Sequence, residues 1–137
     1  MKHLLYTFIL CAIMQSAAVA QAMPDNFDKM LKELLSFSVP TVTCEQAKIL
    51  QKDKNALFLD ARELPEYRVS HLPSARHIGY DDFKPALLAD IPKNTPIVLY
   101  CSVGYRSEKI GEKLQKMGYT KVYNLYGSIF QWVNEGE

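Results

Sequence analysis

The chain has little charge to spare in either direction. Its 137 residues hold 16 Lys and Arg against 15 Asp and Glu, a formal net charge of +1. That leaves no basic surplus of the kind a nucleic acid or an anionic membrane surface requires. Histidine is scarce as well, with three residues in all. One of them is His3, and the set is too scattered to assemble a metal site. Cysteine occurs three times. Cys11 falls in the apolar start of the chain, so only Cys44 and Cys101 remain for chemistry in the body of the protein. No repeat, low-complexity tract or linker breaks the series. These shortages favour one modest domain with a small-molecule or protein partner, and no cofactor or metal is predicted.

The first twenty residues differ from the rest. Met1-Lys2-His3 is a short basic start, Leu4 to Met14 is apolar, and Ser16 to Ala20 is small. This is the three-part layout of a secretory signal peptide over residues 1–20, with Ala20-Gln21-Ala22 as an alternative cleavage site. The apolar core is too short to favour a spanning helix; an uncleaved anchor is the other reading. Export to a periplasm or beyond is expected, with no membrane association after cleavage. Removing Lys2 leaves equal numbers of basic and acidic residues. In an oxidising compartment Cys44 and Cys101 admit a disulfide. Against it, Cys44 falls at a helix start far upstream, and the bond would consume the one thiol in a reactive setting.

That setting is Pro96 to Ser107. Ile97 to Tyr100 is an unbroken apolar run, the pattern of a strand buried on both faces of a parallel sheet. Cys101 follows at its carboxyl end, then Gly104 and small polar residues, then a helical pattern through Ile110, Leu114 and Met117 to Gly118. A strand, a tight turn and a helix gather the backbone N–H groups of Ser102, Val103, Gly104, Tyr105 and Arg106 around one point. Those donors lack intrahelical partners and the helix dipole is positive there, so the point is an anion site that favours a thiolate at Cys101. Arg106 adds a fixed positive charge. Gly104 is expected to take a positive φ and curl the loop over the sulfur. The bland reading of Cys101 is a small buried hydrophobe at a strand end.

Residues 21–38 form an N-terminal extension. Phe27, Met30, Leu31, Leu34 and Leu35 recur at helical spacing after the capping cluster Pro24-Asp25-Asn26, and Pro40 is expected to end the helix. It either packs on the domain or offers residues 27–37 to a protein partner. Thr43 with Gln46 makes a capping box for a helix over Cys44 to Gln51. Ala56 to Leu59 is a second buried-strand run ending in Asp60. A helical turn at Pro65 to Arg68, a short strand at His77-Ile78 and a short helix over Phe83 to Ala89 follow. The helix from Arg106 to Met117 closes with Gly118 at its C′ position. Lys121 to Leu125 is a last strand, and Gly127-Ser128 opens a short helix through Trp132. The fold class is α/β: a parallel sheet covered by helices on both faces in a single domain, with the site beyond the strands' carboxyl ends, where Asp60 and Cys101 converge.

Three stretches resemble the rhodanese family of sulfurtransferases, in its single-domain form. Leu59-Asp60-Ala61-Arg62, Glu66-Tyr67 and Ser70 to Ala75 are similar to its D-V-R…E-Y…G-H-I-P-G-A pattern. Cys101 to Ser107 is similar to its C-x-x-G-x-R-S loop. Gly118-Tyr119 through Trp132 is similar to its G-[FY]…V-x-x-L-x-G-G-x-x-x-W ending. The likeness spans about residues 39–135 of a domain taken as 39–137. Ser70, Ser74 and Ser128 stand where the family usually has Gly. Each adds strain wherever φ is positive, and none is expected to touch the nucleophile.

The resemblance implies that Cys101 takes a sulfane sulfur from a donor such as thiosulfate and passes it to a thiol or cyanide. Backbone N–H groups and Arg106 would stabilise the anions. It further implies that Asp60 and Arg62 brace the loop, that His71 is a hydrogen-bonding loop residue, that Trp132 packs in the core and that Tyr105 rims the pocket. Two other readings stand beside it. One is a non-turnover sulfur carrier or redox and partner-binding module. The other is a Cys/Arg phosphatase or arsenate reductase, whose C-x5-R loop is one residue longer than the spacing from Cys101 to Arg106.

Overall fold

The structure is a computed structural model and describes residues 22–136. The expected leader at 1–20 lies outside the described residues. Five parallel strands form one sheet: β1 Thr41–Val42, β2 Leu57–Asp60, β3 Arg76–His77, β4 Ile97–Tyr100 and β5 Val122–Leu125, in spatial order β1-β5-β4-β2-β3. The helices are α1 Asp25–Leu34, α2 Cys44–Lys52, α3 Leu64–Val69, α4 Tyr105–Lys116 and α5 Ser128–Asn134. Among the described residues no helix is long and apolar enough to cross a membrane.

The sheet is covered on both faces, and β4 shows why. All four of its residues have no exposed surface. Alternation along the strand sends Ile97 and Leu99 to one side, with Ile110 and Leu114 of α4. Val98 and Tyr100 go to the other side, with Ala47 of α2 and Ile129 and Trp132 of α5. Trp132 is a core residue, as expected. The pairing of β2 with β4 sets Asp60 opposite Tyr100. The β2 and β4 chains therefore leave the sheet side by side.

Local sequence chemistry accounts for the start of α2 and for both ends of α4. Thr43 Oγ1 accepts the Gln46 N–H at 3.2 Å while Gln46 Oε1 accepts the Thr43 N–H at 2.9 Å, the capping box expected for α2. Gly104 has φ +126° at the start of α4, and Gly118 has φ +94° just past its end.

Several boundaries differ from expectation, three of them as follows. The first helix ends at Leu34, well before Pro40. The N–H groups of Ser36 and Ser38 turn to the Glu108 carboxylate instead of to helical carbonyls. The strand expected at His77-Ile78 is Arg76–His77, because the Ile78 and Gly79 N–H groups converge on the Asp60 carbonyl. The segment Phe83 to Ala89 closes only a 3-10 turn over Pro85–Leu88.

The extension packs on the domain through Leu31 and Leu35, which are buried, while Met30, Leu34 and Phe37 are exposed. Tyr126 beyond β5 donates its hydroxyl to Asp28 Oδ1 at 2.8 Å. Asp28 also pairs with Lys32. These bonds hold the Asp28 carboxyl below its usual pKa, Lys32 first and Tyr126 second. Burial, then the Asp28 hydrogen bond, pushes the Tyr126 hydroxyl up to about 12.

Candidate active site

Strand β4 delivers Cys101 directly past its last residue, into a position that is 1% exposed. The thiol is free. Its main chain is tied to the start of α5: the Cys101 N–H donates to Ser128 Oγ at 3.2 Å, and the Cys101 carbonyl accepts the Ile129 N–H at 3.2 Å. Ser128 therefore does touch Cys101, contrary to expectation. Its backbone sits in the left-handed region at φ 50°, and its hydroxyl also donates to the Leu125 carbonyl. Of the other two serines in glycine positions, Ser74 is left-handed at φ 63° and Ser70 is extended at φ −164°.

From Cys101 the chain curls through Ser102 and Val103 to Gly104. The Gly104 N–H points back to Cys101 Sγ at 3.1 Å. Ser107, one turn into α4, places its hydroxyl 3.5 Å from the same sulfur. That hydroxyl also lies 2.7 Å from Asn124 Oδ1 and 3.1 Å from the Gly104 carbonyl, which accepts the Asn124 Nδ2–H at 2.9 Å. Asn124 comes from β5 and is fully buried. The Gly104 N–H thus faces the sulfur, while Asn124 accepts the Ser107 hydroxyl proton and donates to the Gly104 carbonyl, tying both residues in place. Of the expected cradle, Gly104 is the N–H donor on the sulfur. Val103 is half-buried, and Tyr105 is exposed at the first turn of α4, with Lys109 Nζ 5.7 Å from its ring.

Arg106 is held by a residue far away in sequence. Its guanidinium forks onto Glu66 of α3, with Nη1–Oε2 at 2.9 Å and Nη2–Oε1 at 3.1 Å, and Nη2 also donates to Ser102 Oγ at 2.9 Å. Ser102 Oγ in turn stands 3.4 Å from Glu66. The Arg106 hydrogen bonds, helped by the Glu63 N–H and working against partial burial, bring the Glu66 carboxyl down to about 2. The Arg106 pKa is raised, first by Glu66 and, after burial has opposed it, by the Cys101 charge. The fork therefore belongs to Glu66, while its positive field still reaches the sulfur.

Asp60 and Arg62 form a second buried pair at the end of β2. Asp60 accepts the Arg62 N–H at 2.8 Å and its guanidinium at 2.7 Å through Nη2. Arg62 Nη2 also donates to the Ser70 carbonyl at 2.6 Å. Burial works against the Arg62 charge, but the Asp60 hydrogen bonds and field outweigh it and raise its pKa. His77 Nε2 meets the Arg62 carbonyl at 2.7 Å. His71 Nδ1 meets the Tyr67 carbonyl at 2.9 Å, its ring stacked on Tyr67 at 3.8 Å. These contacts brace the segment that carries Glu66, not the Cys101 loop directly. Tyr100 lies between the two, its hydroxyl accepting the Leu72 N–H. Burial first and the Asp60 charge second raise its pKa well above the usual phenol range.

Glu66, Ser107, Glu108, Asn124 and Ser128 were given no site role by sequence reasoning. Glu66, Ser107, Asn124 and Ser128 lie inside the three matching stretches, which was the available signal. Nothing in the sequence marks Glu108. Beside the loop is a cleft of about 490 Å³ lined by Arg62, Ser70, Ile129, Phe130 and Val133. Among the described residues no group of three His, Cys, Asp or Glu is placed to hold a metal.

The fold and site define a parallel α/β domain that presents a single loop-held thiol at the carboxyl end of its central strand. A profile of the rhodanese-like domain matches residues 43–135, and the chain belongs to that family. A human single-domain sulfurtransferase superimposes with a TM-score of 0.63 at 21% identity, covering 72% of this chain and 98% of that one. A thiosulfate sulfurtransferase from Pseudomonas aeruginosa gives a TM-score of 0.66 at 21% identity, over 81% of this chain and 22% of that one. A curated relative, the tRNA uridine(34) hydroxylase of Buchnera aphidicola, is 30% identical over 99 residues, which is 69% of this chain. The chain spans about a third of that relative's length, 32%.

Proposed function

We propose that the chain is a sulfurtransferase that carries a sulfane sulfur on Cys101, taking it from a small anionic donor such as thiosulfate. The observation that carries this is the Gly104 N–H aimed at one buried sulfur at 3.1 Å, with the Ser107 hydroxyl oxygen 3.5 Å from it. The thiolate attacks the outer sulfur of thiosulfate. The donor's S–S bond breaks, sulfite leaves with the electron pair, and a Cys101 persulfide remains. Cyanide or a thiolate then attacks the outer sulfur, and Cys101 leaves with the pair of the broken Sγ–S bond. Neither step needs a general base once the thiol is ionised. The Gly104 N–H serves both charged states, because negative charge returns to Sγ when the sulfur departs.

Burial of Cys101 at 1% exposure supports a slender donor over a macromolecular one. The persulfide moves the reacting sulfur about 2 Å outward, toward an acceptor. Arg106 supplies positive field from the Glu66 ion pair, and its engagement there speaks against a phosphatase cradle, whose arginine must bind the oxyanion itself. The near-neutral charge likewise gives no electrostatic footprint for the RNA substrate named for the hydroxylase relatives. The leader-like residues 1–20 support export, and N-terminal sequencing of the protein recovered from cell fractions tests it. A partner contact through residues 27–37 belongs to the same proposal, with Met30, Leu34 and Phe37 exposed.

The test is thiosulfate-to-cyanide transfer by wild type beside Cys101→Ser, with intact mass recorded after thiosulfate alone. Turnover together with a one-sulfur adduct, both lost in Cys101→Ser, is the expected result. An adduct without turnover converts the reading to a sulfur carrier. Transfer that survives Cys101→Ser overturns it.

A further inference from the structure

The match to the rhodanese-like family begins at residue 43. The described residues before it reach the reactive loop as well. Leu35, buried just past the end of α1, stands over Gly104: a Cβ added to Gly104 would lie 3.6 Å from both Leu35 methyl carbons and 3.5 Å from Asn124 Nδ2. Gly104 is thus confined beside its Cα by Leu35 and at its carbonyl by Asn124, and its own N–H faces Cys101 Sγ.

What holds Leu35 there is Glu108, which is 1% exposed and sits on α4, two residues after Arg106. Glu108 Oε2 accepts the Ser36 N–H at 3.1 Å and Oε1 accepts the Ser38 N–H at 3.2 Å. Between these two amides lies Phe37, with φ 56°. A bulky side chain in the left-handed region costs about 1–2 kcal/mol and persists only where its surroundings impose it. One carboxylate gripping the amide on each side does so. Ser38 Oγ adds a 2.6 Å bond to Glu112 on the same helix. Val39 then packs so tightly on α4 that a Cβ at Gly111 would come within 2.8 Å of it.

We propose that residues 35–38 form a strap, clamped to α4 by Glu108, that positions the Gly104 amide on the Cys101 sulfur, with Leu35 and Glu108 as positioning residues for the reactive thiolate. The proposal rests on the reading of Cys101 as the reacting group, but not on sulfur transfer as its task. The strap does not touch substrate. It fixes the direction of the one backbone donor on the sulfur, so its loss acts through thiolate stabilisation.

The test uses the full chain carrying Leu35→Ala, Glu108→Ala or Glu108→Gln, with Lys29→Ala on the exposed face of α1 as control. The readout is the rate of iodoacetamide modification of the Cys101 peptide across pH, by mass spectrometry, beside thiosulfate-to-cyanide kinetics. For Leu35→Ala and Glu108→Ala the alkylation midpoint rises by about one pH unit, which is about a tenfold loss of thiolate on the acid side. kcat falls by about the same factor with little change in KM. Glu108→Gln, which keeps one acceptor oxygen, recovers part of the shift, and Lys29→Ala leaves the profile in place. If Glu108→Ala does not fold, Leu35→Ala still decides. Folded Leu35→Ala and Glu108→Gln proteins with the wild-type alkylation profile overturn the strap. A shifted profile in a protein that transfers no sulfur upholds the strap while the sulfurtransferase reading fails.

Discussion

Glu66 and Glu108 both hold the Cys101 loop, through different physics. Glu66 keeps 38% of its side chain in solvent and binds a charge, the forked guanidinium of Arg106. Glu108 is buried and binds two neutral backbone amides contributed by the N-terminal segment. An exposed ion pair gains little net energy, because water and salt compete for both partners. Removing a buried carboxylate strips two amides of their acceptor, a cost that water reaching the exposed Ser36 and Ser38 lowers without cancelling. The lesson is a division of labour: the Glu108 side fixes geometry, and the Glu66 side sets the field around the sulfur.

The largest test of that division is stability. Glu108→Ala is expected to lower unfolding free energy by about 1–2 kcal/mol, the cost of two partly solvated amides losing their acceptor less the relief of burying no charge. Glu66→Ala is expected to cost about 0.5–1 kcal/mol, as for a partly exposed pair. Urea titrations of both beside wild type check it, and equal losses would erase the distinction.

Next comes activity. Arg106→Ala leaves the Glu66 carboxylate uncompensated beside a site that must admit an anion. KM for thiosulfate should rise about tenfold, an effect of about 1.4 kcal/mol, with a smaller loss of stability. Steady-state kinetics at low and high salt separate the field from the geometry: added salt should narrow the gap from wild type. A KM that does not move places Arg106 on the structural side with Glu108.

The sequence marks the sulfur's immediate surroundings because they are local. Ile97 to Tyr100 reads as a doubly buried strand since all four residues are apolar, and the structure leaves none exposed. Gly104 and Gly118 are legible because only a residue without Cβ takes those φ values freely. The clamps are not local. Glu66 and Arg106 stand 40 residues apart, and Glu108 reaches back 72 and 70 residues to Ser36 and Ser38. No periodicity encodes such a contact. For the same reason α1 ends earlier than its sequence suggests: Pro40 looks like the stop signal, but Glu108 withdraws the chain's amides first.

Ser128 and Ser74 extend the comparison to backbone strain, since both are left-handed and only Ser128 is buried at the site. Replacing either by Gly removes strain worth about 0.5–1 kcal/mol. At Ser74, which is exposed, only the greater freedom of glycine in the unfolded chain offsets part of that gain, so Ser74→Gly should stabilise the protein by about 0.5 kcal/mol or less. At Ser128 the hydroxyl is the acceptor for the Cys101 N–H, and losing it leaves a buried donor unsatisfied at about 1–3 kcal/mol. Ser128→Gly should therefore destabilise by about 1 kcal/mol despite the relieved strain. Opposite signs in thermal denaturation are the expected outcome; the same sign for both would mean that the Ser128 hydroxyl holds nothing.

The smallest effect is the acid titration of Glu66. Its carboxyl sits near 2 in the folded protein against 4.5 as its ordinary value, chiefly through the Arg106 hydrogen bonds. A depressed carboxyl contributes stability that is complete above the unfolded value and is lost as pH falls through the folded one. The window thus runs from about pH 4.5 down to about 2. Within it the stability of wild type should fall toward that of Glu66→Gln, closing a gap that solvent screening limits to about 0.5–1 kcal/mol. Asp28, Asp90 and Glu112 are also held below their usual range and titrate in the same region. They do so in both proteins, so the difference between the two urea midpoints isolates Glu66. A gap that stays constant from pH 5 to 2.5 would show that Arg106 holds Glu66 by shape and not by charge, and the two flanks of the loop would then rest on one kind of bond.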